Sequence, residues 1–169
     1  MEIKYPQRSK KVCPGCKINR DLKFFSSRMT RYCVTCNRSK KASKDEQKRK
    51  YSIKTLDANW SLAVKARDGF KCRYCPKTNS LNSHHIFSRS KKSTRWHIPN
   101  GITLCSGHHV LSSTFSAHKT PAEFIEWLKL DIGQAAYDDL RIIASKASKQ
   151  DPQEVLENLK EYRSLLLTK

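Results

Sequence analysis

The sequence predicts an α+β fold, with a small two-stranded centre set between a cysteine-rich N-terminal segment and a helical tail. Three observations carry that expectation. Six of the seven cysteines fall in Cys-x-x-Cys pairs, and the seventh opens Cys105-x-x-His108, a staple pattern for regions too small to hold a core. Two short runs, residues 83–87 and 102–104, have strand length and are separated by a polar loop. Beyond Thr120, capping signals and apolar residues at helical spacing recur.

The first element is Cys13-Pro14-Gly15-Cys16 followed, sixteen residues on, by Cys33-Val34-Thr35-Cys36. Two such pairs can close a tetrahedral thiolate site, each on a tight knuckle turn, which makes residues 1–37 a four-cysteine zinc ribbon. Phe24 and Phe25 are expected to cover one side of it. The opening Met1-Glu2-Ile3-Lys4-Tyr5-Pro6 has no apolar stretch, unlike a secretory leader. A cytoplasmic chain with reduced thiols is therefore expected, and metal binding rather than disulfides. The stretch from Asn37 to about Tyr51 is polar on every face, and residues 38–56 are set apart with it. They read as a basic linker, or as a basic helix that follows a nucleic-acid backbone with Lys40 and Lys41.

Residues 57–119 form the predicted centre. A helix over 57–67 turns Trp60, Val64 and Leu62 inward, Asp68-Gly69 ends it, and Cys72-Arg73-Tyr74-Cys75 follows. The loop between the two strands carries Arg89, Lys91, Lys92, Arg95 and Trp96. Cys105-Ser106-Gly107-His108-His109 is expected to open a helix running towards Phe115. In the tail, residues 120–169, Thr120-Pro121-Ala122-Glu123 and Asp151-Pro152-Gln153-Glu154 are helix starts. Tyr137, Leu140, Ile143 and Ala144 mark a middle helix after the Ile132-Gly133 break. Val155, Leu156, Leu159, Tyr162 and Leu166 form the stripe of the last one.

Charge narrows the partner. The formal net charge is +19, and it is one-sided. The first 120 residues hold 27 Lys or Arg against six acids, whereas residues 121–169 hold seven against nine. Such an excess attracts a polyanion, because each neutralised phosphate releases condensed counterions. No run of about 18 apolar residues and no basic amphipathic helix directs the chain to a membrane.

The residues able to do chemistry are Cys72, Cys75, His84-His85-Ile86, Asn100 and Cys105-x-x-His108-His109. Phosphodiester hydrolysis needs an activated water and a cation near the phosphate and leaving oxygen. A histidine titrates near neutrality and can take the proton. Neighbours on a strand point to opposite faces, so His84 and His85 divide into ligand and base. Neighbours on a helix differ by about 100°, so His108 and His109 can serve two metals. His108 is assigned with Cys72, Cys75 and Cys105 to a structural zinc, and His109 with His84 to a catalytic ion, although the spacing alone permits the reverse. His118, nine residues past His109, falls nearly opposite it on a continuous helix and is set aside. His97, Arg89 and Arg95 are read as phosphate neighbours, and the three tryptophans as packing residues.

Over residues 70–110 this pattern resembles the HNH, or ββα-metal, endonucleases. The resemblance implies a small zinc-braced ββα-metal centre with His85 as general base, His84 and His109 as metal ligands, and Asn100 pinning the loop. His108 departs from it, standing where the second knuckle usually has Cys. The implied complement is two structural Zn²⁺ and one catalytic divalent ion, Mg²⁺ or Mn²⁺, with DNA as substrate. A fainter likeness spans the chain: ribbon, basic connector, HNH-like centre and a helical tail around Ile132-Gly133-Gln134-Ala135 are similar to the NinG/Rap phage recombination proteins. That implies branched DNA, the host cytoplasm, and a homodimer able to cut two strands symmetrically. The alternatives are a homing, restriction or packaging-type HNH nuclease, an RNase, or a non-catalytic zinc-stapled nucleic-acid-binding module.

Overall fold

The structure, a computed structural model, describes residues 10–27, 30–148 and 150–167; the N-terminal hexapeptide used above lies outside them. It is a small mixed α+β chain with two short antiparallel sheets and five α-helices among the described residues. They fall into two compact units that divide between Lys50 and Tyr51.

In the first unit, β1 (Lys10–Val12) pairs with β2 (Asn19–Asp21), Lys10 opposite Asp21 and Val12 opposite Asn19. The knuckle between them closes with the Lys17 amide donating to the Cys13 carbonyl at 2.7 Å, and Lys17 takes a left-handed φ of 57°. Cys13, Cys33 and Phe25 form the small core, with Tyr32 against it. Phe24 does not join them; it is 44% exposed, so one phenylalanine covers the ribbon instead of two. Helix α1 (Val34–Lys50) starts inside the second knuckle and has no buried residue. Without an apolar stripe it has nothing to dock through.

The second unit is built on a hairpin. Strand β3 (Leu81–His85) pairs antiparallel with β4 (Gly101–Cys105), placing His84 opposite Ile102 and His85 opposite Gly101. The strand begins and ends two residues earlier than expected, so Ile86 and Phe87 belong to the loop. Helix α2 (Ile53–Arg67) covers one side of the hairpin. Its Ser52 cap accepts from the Thr55 amide at 3.2 Å. Gly101 permits the approach: a Cβ there would lie 2.4 Å from Val64 Cγ2 and 2.7 Å from Trp60 Cζ2. On the other side, Ile102 and Leu104 pack with Phe124 and Leu128 of α3 (Pro121–Ile132). Alternation along the strands therefore gives two cores, one per face.

Helix α4 (Gln134–Ser145) follows a turn at Gly133, whose φ of 88° suits glycine. Helix α5 (Pro152–Leu167) is capped by Asp151, whose Oδ1 accepts from the Gln153 and Glu154 amides at 2.7 and 3.2 Å. The α5 stripe is used within the chain: Val155, Leu156 and Leu159 are buried with Leu56, Trp60, Ala63 and Val64 of α2, and Tyr162 packs against them. Leu62 does not face inward; it is 37% exposed. Thr120 also differs from expectation. Its hydroxyl receives the Ser116 amide at 2.9 Å rather than capping α3. No helix among the described residues is long and apolar enough to cross a membrane.

Candidate metal centre and flanking histidine

Three ligand clusters emerge, each with donor atoms within 4.8 Å of one another: Cys13, Cys16, Cys33 and Cys36; Cys72, Cys75, Cys105 and His108; and His84, His109 and His118. A tetrahedral zinc with bonds of about 2.3 Å to sulfur and about 2.05 Å to nitrogen sets edges of about 3.8 Å between sulfurs, about 3.6 Å between sulfur and nitrogen and about 3.4 Å between nitrogens. In the second cluster Cys75 and Cys105 sulfurs are 3.9 Å apart, and His108 Nδ1 lies 3.6 Å from Cys72 and 3.3 Å from Cys105. These are ligand edges, and both sulfur-containing clusters could hold zinc. The first shows why a cation suits it. Burial opposes ionisation of Cys13, but the amides of Cys33, Cys16 and Gly15 outweigh it and draw the thiol to about 6. The Cys33 side chain and burial meanwhile push Cys36 up to about 12. Four crowded sulfurs cannot all ionise without a positive charge among them.

A buried carboxylate ties the end of α2 to Thr103 of the hairpin, and a backbone bond ties the second cluster's knuckle to the same residue. Asp68 accepts from the Thr103 amide at 2.8 Å and pairs with Arg67 at 2.9 Å, while the Arg73 amide donates to the Thr103 carbonyl at 2.9 Å. Cys105 ends β4, and a π-helical turn, Gly107–Leu111, carries His108 and His109. Single π-helical turns are frequent at functional sites. Here the turn sends His108 to the cysteines and His109 to His84.

The third cluster corrects the expectation for His118. The helix from Cys105 does not run to Phe115; it ends at Leu111, and the chain turns back at Ser112. The buried Ser116 ties the return, its hydroxyl donating to the Ser112 carbonyl at 2.8 Å, and the Ala117 amide donates to the His108 carbonyl at 2.9 Å. His118 Nε2 thereby reaches 3.3 Å from His109 Nε2, a metal-ligand edge. The His84 ring stands 5.3 Å from that of His109, 5.1 Å from that of His118 and 5.4 Å from that of Phe124. Burial, then the neighbouring imidazoles, hold His84 down to about 3, and burial with His118 lowers His109. Their lone pairs are therefore free at neutral pH. His118 is exposed, so the cluster opens to solvent there.

His85 lies on the other face. Its ring stacks on Trp60, with centroids 3.8 Å apart and planes 13° from parallel. Its Nε2 sits 2.9 Å from the Arg95 carbonyl. A carbonyl only accepts, so Nε2 carries the hydrogen and Nδ1 the lone pair. Burial lowers its pKa more than the Arg95 carbonyl and Asp57 raise it. The 86–100 loop is pinned by the fully buried Asn100: its Oδ1 accepts from the Phe87 amide at 2.8 Å, and its Nδ2 donates to the Phe87 and Thr94 carbonyls at 2.9 and 3.0 Å.

The basic residues divide. Arg89, Lys91, Lys92 and Lys41 are exposed, and Lys40 lies over the Tyr32 ring at 3.5 Å. Arg95, a candidate phosphate contact, is already paired. Asp57 grips its Nε and Nη2 at 3.0 and 2.7 Å, and only 19% of the side chain is exposed. The His97 side chain is half-buried, its Nδ1 buried without a partner, away from solvent phosphate. Trp60 is a packing residue that also supports His85. Gly101, which had no place in the sequence reading, makes that stacking possible. No protein-family model, curated protein or solved structure matches the chain.

Proposed function

We propose that this chain is a metal-dependent endonuclease of the HNH type that hydrolyses DNA phosphodiester bonds. One observation carries the reading: His84 converges with two further imidazoles, and its strand neighbour His85 is oriented with an unprotonated Nδ1. A zinc finger built only for structure has no use for that fourth imidazole.

In this mechanism His85 Nδ1 takes the proton from the attacking water, worth about 10²–10⁴ in rate. The Arg95 carbonyl and the Trp60 ring hold that nitrogen in place as the proton arrives. A divalent cation held by His84, His109 and His118 would supply positive charge for the phosphoryl transition state and the departing oxygen. Its donors are three nitrogens and no carboxylate. This chemistry favours Zn²⁺, Ni²⁺ or Co²⁺; Mn²⁺ binds nitrogen donors more weakly than these, and Mg²⁺ seeks oxygen ligands. Exposed Arg89, Lys91 and Lys92 on the pinned loop give the substrate backbone nearby counter-charge.

The finer reading, action on branched DNA in the manner of NinG/Rap-type proteins, is supported by the order of ribbon, basic α1, histidine centre and helical tail. The test is cleavage of supercoiled plasmid and of linear, forked and four-way DNA with each metal. Cutting of all substrates alike would leave a general nuclease. Tight binding with no cutting under any metal would leave the non-catalytic module.

A further inference from the structure

The base in this reading is held on two sides, and both supports trace to one turn of α2. Trp60 offers the ring face against which His85 stacks, and Asp57 lies three residues before it on the same helix. Asp57 does not touch His85. It binds Arg95 through both carboxylate oxygens, at 3.0 Å to Nε and 2.7 Å to Nη2, and its Oδ1 also accepts from Trp96 Nε1 at 2.8 Å. The Arg95 Nη1 donates in turn to the Arg89 carbonyl at 3.2 Å. Two consecutive loop residues are thus fixed by one carboxylate, and the carbonyl that receives His85 Nε2 is that of Arg95 itself.

We propose that Asp57 is a positioning residue for His85, acting through Arg95: by anchoring the 95–96 segment it aims the Arg95 carbonyl at Nε2 and so holds the tautomer with Nδ1 unprotonated. The inference rests on the nuclease reading for its catalytic consequence, but not for its structural one. A fork of two parallel N–H···O bonds fixes direction as well as distance, which a single lysine contact cannot do. Loss of the carboxylate leaves Asn100 holding the neighbouring Thr94 carbonyl at 3.0 Å but removes the fork that fixes the Arg95–Trp96 segment, so the Arg95 carbonyl is freed to turn. Nε2 then loses its one fixed acceptor, and either ring nitrogen can carry the hydrogen.

The experiment uses the full chain loaded with zinc and Mn²⁺, in wild type, Asp57→Asn and Asp57→Glu. Three quantities are read: kcat and KM for nicking supercoiled plasmid, zinc content, and the side-chain ¹⁵N shifts of His85. Asp57→Asn is expected to lower kcat by about 10- to 100-fold, typical of losing a partner one contact removed from a working side chain. KM and zinc content should hold, and His85 should pass from one tautomer to a mixture, with Asp57→Glu recovering part of both effects. Wild-type kcat with a single unchanged tautomer overturns the proposal. So does a fall in kcat accompanied by zinc loss while the tautomer stays fixed, since that marks a merely structural ion pair. Should Asp57→Asn fail to fold, Arg95→Lys, which keeps the charge but breaks the fork, is read by the same outcomes. If the wild type cuts no DNA, the nuclease reading falls, and the ¹⁵N comparison alone decides: a mixture upholds the positioning role and an unchanged tautomer overturns it.

Discussion

His108 and His109 are consecutive residues on one π-helical turn, yet they belong to two different ligand sets. The zinc-compatible cluster of Cys72, Cys75, Cys105 and His108 therefore fixes the backbone that aims His109 at His84 and His118.

This coupling predicts an asymmetry between two substitutions. His108→Ala should cost one of two tightly held zinc ions and also weaken divalent binding at the three-histidine cluster. His118→Ala should leave both zinc ions and weaken only the latter. Elemental analysis after mild chelation, together with Mn²⁺ or Co²⁺ titration, separates them. Equal zinc loss in both variants would show that the clusters are not organised this way.

Gly101→Ala should destabilise the second unit by about 1–3 kcal/mol, the usual cost of overpacking. The added methyl collides with Val64 and Trp60, so it also tilts Trp60 off His85. Thermal melting and tryptophan fluorescence would register both effects; a variant unchanged in each would refute the close packing.

Asn100→Ala removes three hydrogen bonds from a fully buried side chain and orphans the Phe87 amide and carbonyl, while the Thr94 carbonyl keeps the His97 amide at 3.1 Å. Each buried group left unpaired costs about 1–3 kcal/mol. Amide exchange across residues 86–100 should quicken well before the hairpin itself is lost. Exchange no faster than in the wild type would mean that the loop is pinned by other contacts.

Removing α5 should cost several kcal/mol, since Val155, Leu156 and Leu159 are buried and each such side chain contributes about 1.5–3 kcal/mol. The apolar stripe that made a homodimer attractive is occupied by α2, so sedimentation of the truncated and intact chains should give the same oligomeric state. A change of state without a loss of stability would assign the stripe to a partner copy instead.

Periodicity and cap chemistry made much of this architecture legible. The stripe of α5, the Asp151 cap and the strand alternation that separates His84 from His85 all follow from local rules. The cysteine spacing placed the two sulfur clusters for the same reason: ligands two residues apart share a turn. His118 was not legible, because its role depends on where a helix stops. An unbroken helix would have carried it away from His109, and only the turn at Ser112, tied by Ser116, brings it back. The Ser112-Ser113-Thr114 run was a usable signal, as was the thinness of a two-histidine ligand set. The pairing of Arg95 was not legible for a different reason. Its partner Asp57 lies 38 residues away, and no local pattern reports a contact made through tertiary packing.

The most direct measurement of the central claim is nicking of supercoiled plasmid by the wild type and by His85→Ala, side by side, across Mn²⁺, Co²⁺, Ni²⁺, Zn²⁺ and Mg²⁺. The account predicts nicked circles from the wild type with the transition metals, weaker activity with Mg²⁺, and a loss of about 10²- to 10⁴-fold in His85→Ala with DNA retention unchanged in a gel shift. Wild-type rates from His85→Ala, or no cutting by the wild type with any of the five metals, would contradict it.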